Sequence, residues 1–212
     1  MSAFNFLFTI QINKYELATI LWNLFLTIIP FGICFILVKL KSKNNYNSII
    51  KIVLGSFLGV LWLIFIPNTA YIITDIRHIM DYCPRNYDRV CLENSWMIVF
   101  FFFYGLIGWL TFVYALNQMK NAISKFKTGN LGKIFIIAVI PIIAIGVMLG
   151  LINRANSWEI FLQPVKITED ALYYFSQLKY FKNWVIFTIF FYLLYFLGTI
   201  ILIKFDNRKK FN

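Results

Sequence analysis

Histidine, cysteine and acidic residues are scarce in this chain. Its 212 residues include one histidine, three cysteines and nine aspartates or glutamates. The histidine and the cysteines do not have the spacing of a zinc site, there is no HExxH sequence, and no serine lies in a nucleophile-elbow context. The sequence therefore predicts no metal site, and no motif in it identifies a cofactor.

The chain also lacks the features that divide a protein into parts or mark it for cleavage. It has no internal repeat, low-complexity linker or shift in composition, which predicts a single domain over residues 1–212. The first dozen residues contain no basic segment and no small-residue cleavage site, so we do not expect a cleaved signal peptide. No groove-reading module is present, and we expect no nucleic-acid binding despite the formal net charge of +11.

Apolar residues, in contrast, are abundant. Hydrophobic residues make up 60% of the chain and aromatic residues 20%, which is more than one soluble core can bury. A helix needs roughly 20 mostly apolar residues to cross a hydrocarbon layer of about 30 Å. We therefore predict an all-α fold, a polytopic transmembrane bundle of about five spans. The spans are expected near Leu17 to Val38, Ile49 to Ile66, Trp96 to Leu116, Ile134 to Ile152 and Trp184 to Ile203.

The basic residues lie mainly on one side of these predicted spans. The connections after the first and third spans, together with the segment after the fifth, carry twelve of the twenty Lys and Arg residues and one acid, Asp206. The other side carries eight basic and eight acidic residues. The positive-inside rule then places the N-terminus outside and the C-terminus in the cytoplasm. Membrane lipid is an expected partner, because anionic headgroups attract the basic face.

The outer segments contain two further features. After Thr168, a residue type common at helix N-caps, the spacing predicts a short amphipathic helix lying on the outer surface. Cys83 and Cys91 lie on the same side, where oxidation is permitted, and the sequence leaves open a disulfide or two free thiols. The apolar positions that predict the surface helix are Ala171, Tyr174, Phe175, Leu178 and Phe181.

Two glycine pairs lie within predicted spans at a spacing that lets helices approach closely. Gly55 and Gly59 belong to the second span, and Gly146 and Gly150 belong to the fourth. Small residues four positions apart are typical of close helix packing in membranes. The pairs are expected to pack helices within the bundle, with a homo-oligomer through either pair as the alternative.

A polar motif follows the second predicted span in the sequence FIPNTAYIITDIRHIM, residues 65–80. If this segment is helical, Asn68, Tyr71, Asp75 and His78 share one face, and Arg77 lies off that face. Pro67 would either kink the second span, so that residues 67–80 extend it, or begin a re-entrant helix folded back over the bundle. Both arrangements predict that the polar face lies at the outer interface.

A second polar motif, LINRANSWEIFLQP at residues 151–164, leaves the fourth span on the same outer side. Arg154 lies close enough to the apolar run to reach headgroup depth, where a guanidinium is expected to pair with a carboxylate, a phosphate or backbone carbonyls. Asn156 and Glu159 have the spacing of a capping box that begins a short helix ending before Pro164. For Glu159, capping and a chemical role are both open.

Three segments of the sequence carry a resemblance to a known family. They are LWNLFLTIIP at 21–30, FIPNTAYIITDIRHI at 65–79 and GLINRANSWE at 150–159. Together they resemble an uncharacterised family of small bacterial and archaeal integral membrane proteins, known only as a domain of unknown function. The family pattern has proline, arginine and aspartate where this chain has Ala70, Leu151 and Glu159. The resemblance implies a multi-pass protein of a bacterial or archaeal plasma membrane. It supplies no activity, and Leu151 in place of arginine weakens any site that needs two guanidinium groups.

The two polar motifs support a structural and a ligand-binding interpretation. In the structural one, an Asp75–Arg154 ion pair ties the outer segments together in a structural or assembly factor. Ionisable groups at this depth are costly, so a functional site is the default hypothesis. A pocket there would bind a polar or anionic ligand, such as a lipid headgroup or a small solute. The expected ligand-binding residues are Asn68, Tyr71, Asp75, His78, Arg154, Asn156 and Trp158.

The alternative is a membrane-embedded envelope enzyme. Asp75 would orient His78 as a general base, or the two would join Glu159 in holding a divalent metal. The candidate catalytic residues are therefore Asp75, His78 and Glu159, and the sequence does not decide whether the protein is an enzyme.

Overall fold

The computed structural model describes residues 11–12, 15–42, 48–78, 95–126 and 130–209. Two-residue strands β1 (Gln11–Ile12) and β2 (Tyr15–Glu16) pair antiparallel before the first helix. A 3-10 turn at Asp75–Arg77 follows α3, and a π-helix at Leu149–Asn153 follows α5. The α-helices are α1 (Leu17–Ser42), α2 (Ser48–Phe65), α3 (Pro67–Thr74), α4 (Trp96–Phe126), α5 (Leu131–Met148), α6 (Glu159–Leu162), α7 (Pro164–Ser176) and α8 (Leu178–Lys209).

Five segments of the described chain are long and apolar enough to cross a membrane, which confirms the predicted all-α, multi-pass fold. The second span extends farther than predicted, to Arg77, and the fifth begins earlier, at Leu178. The spans are Leu17–Leu40, Ile49–Arg77, Trp96–Ser124, Leu131–Asn153 and Leu178–Lys204. The second span has 29 residues, or about 43 Å of helix against a hydrocarbon thickness of about 30 Å. One or both of its ends therefore reach the interface.

The second span has two parts, which meet at Ile66 and Pro67. The N-terminal part, α2, packs against α1. The C-terminal part, α3, packs against α1, α4 and α5. Pro67 has no N–H to donate, and proline is favoured in the first turn of a helix. Of the two arrangements that the sequence left open, the structure has the extension for residues 67–78. Residues 79 and 80 lie outside the described residues.

Close contact between α3 and α5 depends on two glycines. A Cβ added at Gly146 would lie 2.6 Å from Cγ of Pro67, and one at Gly150 would lie 3.0 Å from Cδ2 of Tyr71. These glycines therefore pack α5 against α3 of the same chain. Cβ atoms added at Gly55 or Gly59 would meet nothing within 4 Å.

The predicted surface helix is present as α7, but its predicted N-cap was wrong. The helix begins at Pro164, and the Thr168 hydroxyl donates to the Pro164 carbonyl 2.8 Å away, inside the first turn. Gln177 has an extended backbone that ends α7. Leu178 and Phe181, which were expected to continue this helix, therefore belong to α8. The Cys83–Cys91 pair lies outside the described residues.

Candidate functional site

A cavity of about 780 Å³ lies between α1, α3 and α5, at the end of the bundle that the sequence predicts to be the outer one. The segment after the π-helix, residues 154–158, forms part of its wall. Six of the seven expected ligand-binding residues line it: Asn68, Tyr71, His78, Arg154, Asn156 and Trp158. Sequence reasoning missed further polar or aromatic lining residues: Thr19, Trp22, Asn23, Phe25, Arg77 and Ser157.

Asn68 connects α3 to the segment after the π-helix. Its amide Nδ2 donates to the Phe65 carbonyl, 2.9 Å away, and to Oγ of Ser157, 2.8 Å away. Tyr71 lies one turn farther along α3 and packs its ring edge against the position of Gly150. Asn68 and Tyr71, the first two residues of the predicted polar face, therefore lie on the π-helix side of the cavity.

Arg77 is in the cavity, and its predicted position off the polar face was wrong. Its Nη2 donates to the Tyr71 hydroxyl and its Nη1 donates to the Leu151 carbonyl, each at 3.2 Å. The 3-10 turn explains the difference, since three residues per turn in place of 3.6 narrow the angle between positions 71 and 77 from about 120° to about 60°. The arginine side chain is long enough to span the remaining separation and reach the Tyr71 hydroxyl.

Arg154 follows the π-helix with a left-handed backbone, at φ 53° and ψ 31°. Its own N–H donates to the Leu149 carbonyl, which closes the π-helix. The Arg154 side chain makes no ion pair with Asp75, and no hydrogen bond or ion pair of its guanidinium occurs in the described part of the chain. The expected Asp75–Arg154 ion pair is therefore absent from this structure.

Asp75 lies behind the cavity wall and is fully buried. Nδ2 of Asn23, on α1, lies 3.4 Å from its Oδ2, and Nε2 of His78 lies 3.8 Å from its Oδ1. The carboxyl group thus joins α1 to the C-terminal end of the second span. Asn23 had a sequence signal that could have found it, because a lone amide inside an apolar span usually marks a polar contact.

Asn156 and Glu159 form one half of the predicted capping box. Oε1 of Glu159 accepts from the Asn156 backbone N–H at 3.1 Å and from its side-chain amide at 2.9 Å. These hydrogen bonds hold the pKa of Glu159 below its ordinary value. The helix that follows, α6, ends before Pro164 as predicted. It begins at Glu159 with Trp158 at the N-cap position, so the prediction that Asn156 caps this helix was wrong.

Glu159 does not join Asp75 and His78. Within the described ranges, no three His, Cys, Asp or Glu side chains lie close enough together to hold a metal ion. The metal-dependent form of the enzyme hypothesis therefore finds no ligand set in this part of the chain.

A ring contact and a hydrogen bond from a tyrosine support the wall formed by residues 154–158 and the end of the π-helix before it. The Trp158 and Trp22 rings meet edge to face, with centroids 5.8 Å apart. The hydroxyl of Tyr174, on α7, donates to Oδ1 of Asn153, at the end of the π-helix. Burial, with smaller contributions from Asp170 and Tyr180, raises the pKa of Tyr174 to about 12, so this hydroxyl keeps its proton at neutral pH. The wall is thus held from α1 and from α7.

The comparisons with known proteins bear on family and not on activity. No curated protein and no solved structure matches the chain. One family, described as "Protein of unknown function (DUF1361)", matches residues 22–197, which include every polar residue of the described cavity lining except Thr19. The match covers most of the sequence, and the chain belongs to this family.

Proposed function

We propose that this multi-pass membrane protein binds a polar or anionic ligand, a lipid headgroup or a small solute, in its outward-facing cavity. The proposed location is the plasma membrane of a bacterium or archaeon, with the cavity at its outer surface. Asn68, Tyr71, His78, Arg154, Asn156 and Trp158 would contact the ligand, and Asp75 would hold the wall behind them.

The charge of the lining carries this proposal. Arg77 and Arg154 both line the cavity, while the described lining contains no aspartate or glutamate. Asp75 lies behind the wall and is shared with Asn23 and His78. Arg154 is an exposed residue of the lining and directly follows the span Leu131–Asn153. A guanidinium at this depth is expected to pair with an anion, and an anionic group of a ligand would be that partner.

Acid–base chemistry by Asp75 and His78 remains the second candidate. Their closest approach of 3.8 Å supports it, since His78 lines the cavity and Asp75 lies next to it, behind the wall. That distance is longer than a hydrogen bond, and catalytic contacts often tighten when substrate binds. Binding ranks first because it needs no change in this geometry.

Native mass spectrometry of the detergent-purified protein tests the proposal. The wild type is expected to carry a copurified species, and Arg154→Gln is expected to lose most of it. Lys179→Gln is the matched control, because Lys179 is an exposed cation on the outer end of α8, away from the cavity. It should retain the species at the wild-type level.

Two results would count against binding. One is an unchanged ligand profile in Arg154→Gln. The other is loss of the folded protein from the membrane in Asp75→Asn with His78→Gln, which would favour a purely structural role for this cluster.

A further inference from the structure

The walls of the outer cavity differ in chemistry. The wall formed by α1 contributes Leu21, Trp22, Phe25 and Leu26. Leu21 is 46% exposed and Phe25 is 52% exposed. These residues belong to the span Leu17–Leu40, so their exposed surface faces lipid. A molecule that fills the cavity and touches this wall therefore has an apolar part.

The opposite wall contains a guanidinium with unused donors. Arg77 donates through Nη1 and Nη2, whereas its Nε is buried and has no partner in the described residues. A buried N–H without an acceptor costs about 1–3 kcal/mol. A ligand oxygen could accept from this N–H.

Arg77 is held by the end of the π-helix. The Leu151 carbonyl lies near the end of that helix, where carbonyl groups need donors from elsewhere. The Asn156 N–H, five residues later, donates to Glu159 instead. Arg77 supplies the donor, and this fixes its guanidinium on the same side of the cavity as Arg154.

Two arginines in one cavity match the chemistry of phosphate. A guanidinium offers N–H donors in a planar fork that fits two phosphate oxygens, which a single ammonium group does not. Beside Arg154, Arg77 provides the second guanidinium from the 3-10 turn after α3, where it donates to the Leu151 carbonyl.

We infer that the ligand is an anionic phospholipid of the outer leaflet, which enters sideways past α1. Its phosphate lies between Arg77 and Arg154, and its hydrocarbon lies along Leu21, Phe25 and Leu26. This inference rests on the proposed function and adds the phosphate group, the apolar tail and the route of entry. The same phosphate chemistry would also suit a soluble phosphate ester, so the test must separate the two.

Three probes separate head from tail in native mass spectrometry of delipidated protein. Dioleoyl phosphatidic acid has both parts, glycerol 3-phosphate has the head alone, and dioleoylglycerol has the tail alone. Phosphatidic acid is expected to bind about tenfold or more tightly than either part. Arg77→Gln and Arg154→Gln should each reduce its binding by about tenfold or more, because charge-assisted hydrogen bonds to phosphate are lost.

A variant of the apolar wall isolates the tail. Phe25→Ser should weaken phosphatidic acid about tenfold and leave glycerol 3-phosphate unchanged, since only apolar contact is removed. Phe35→Ser is the matched control, because Phe35 is 60% exposed on the same helix and outside the described lining. It should change neither affinity.

Each of three alternative results overturns the inference. The results differ in whether the proposed function stands. If glycerol 3-phosphate binds as tightly as phosphatidic acid, the ligand is a soluble phosphate and the proposed function stands. If dioleoylglycerol binds as tightly, phosphate is not recognised and both fail. If none of the three probes binds while a copurified polar species depends on Arg154, the inference fails and the proposed function stands.

Discussion

Arg154 combines a strained backbone with a cationic side chain that has no carboxylate partner in the described structure. Its φ of 53° is the one positive value among the described non-glycine residues. A left-handed conformation costs an ordinary residue roughly 1–2 kcal/mol, and such strain tends to occur at functional sites. Arginine at this position is therefore better explained by its guanidinium than by stability.

Replacing Arg154 should separate stability from binding. We expect Arg154→Gly to be more stable than Arg154→Ala by about 1 kcal/mol, because both remove the guanidinium and only glycine adopts this backbone without strain. Both variants should lose the copurified ligand. Thermal unfolding in detergent, after delipidation, measures the difference. Equal melting temperatures for the two variants would show that the left-handed backbone at position 154 is not retained.

The Glu159 contact with Asn156 should depend on pH. Because the hydrogen bonds from Asn156 lower the pKa of Glu159 from its ordinary 4.5, the contact stabilises the folded segment above pH 4.5. That contribution is lost as the pH falls through the lowered pKa. The backbone and side-chain amide NMR signals of Asn156 should shift together with a midpoint below 4.5. Glu159→Gln should remove this titration, and a midpoint at or above 4.5 would contradict the assignment.

At the scale of elements, the two glycine pairs differ in what lies against them. Gly146 faces the rigid ring of Pro67, whereas Gly59 has an open position within 4 Å. Gly146→Ala should therefore destabilise the protein by about 1–3 kcal/mol through overpacking. Gly59→Ala should be neutral or stabilising by up to about 1 kcal/mol, because alanine favours helix.

Melting temperatures of these two variants in detergent test the packing of α3 on α5. Similar decreases in melting temperature for both variants would show that the α3–α5 contact does not need a glycine at 146. Homo-oligomerisation through Gly55 and Gly59 stays a prediction. A cross-linked dimer that disappears in Gly59→Leu and persists in Gly146→Ala would support it.

Long apolar elements were predictable because bilayer thickness sets their length. Departures from the α-helix were not, since a 3-10 turn or a π-helix depends on contacts with other elements. The 3-10 turn at Asp75–Arg77 brought Arg77 into the cavity, and Arg154, which follows the π-helix, makes no ion pair with its expected partner Asp75. The start of α7 was mispredicted because Thr168 has a good capping side chain but Pro164, four residues earlier, is equally suited to a first turn.

At the scale of the whole molecule, the cavity and the basic face lie on opposite sides of the predicted topology. Twelve of the twenty Lys and Arg residues are assigned to the cytoplasmic side. Each basic residue near an anionic inner leaflet contributes about 1 kcal/mol, so the predicted orientation is strongly favoured over its inverse. The two cavity arginines lie on the other side, where this attraction to the inner leaflet does not account for them.

The orientation determines which leaflet the cavity samples, and cysteine labelling tests it. In a background with Cys34, Cys83 and Cys91 replaced by serine, Lys166→Cys should react with a membrane-impermeant maleimide in intact cells, because the predicted topology places α7 outside. Asn121→Cys, exposed at the cytoplasmic end of α4, should react only after the membrane is permeabilised. The opposite pattern would place Arg77 and Arg154 at the inner leaflet. The two arginines of the cavity would then lie at the cytoplasmic surface. A phospholipid ligand would have to come from the cytoplasmic side.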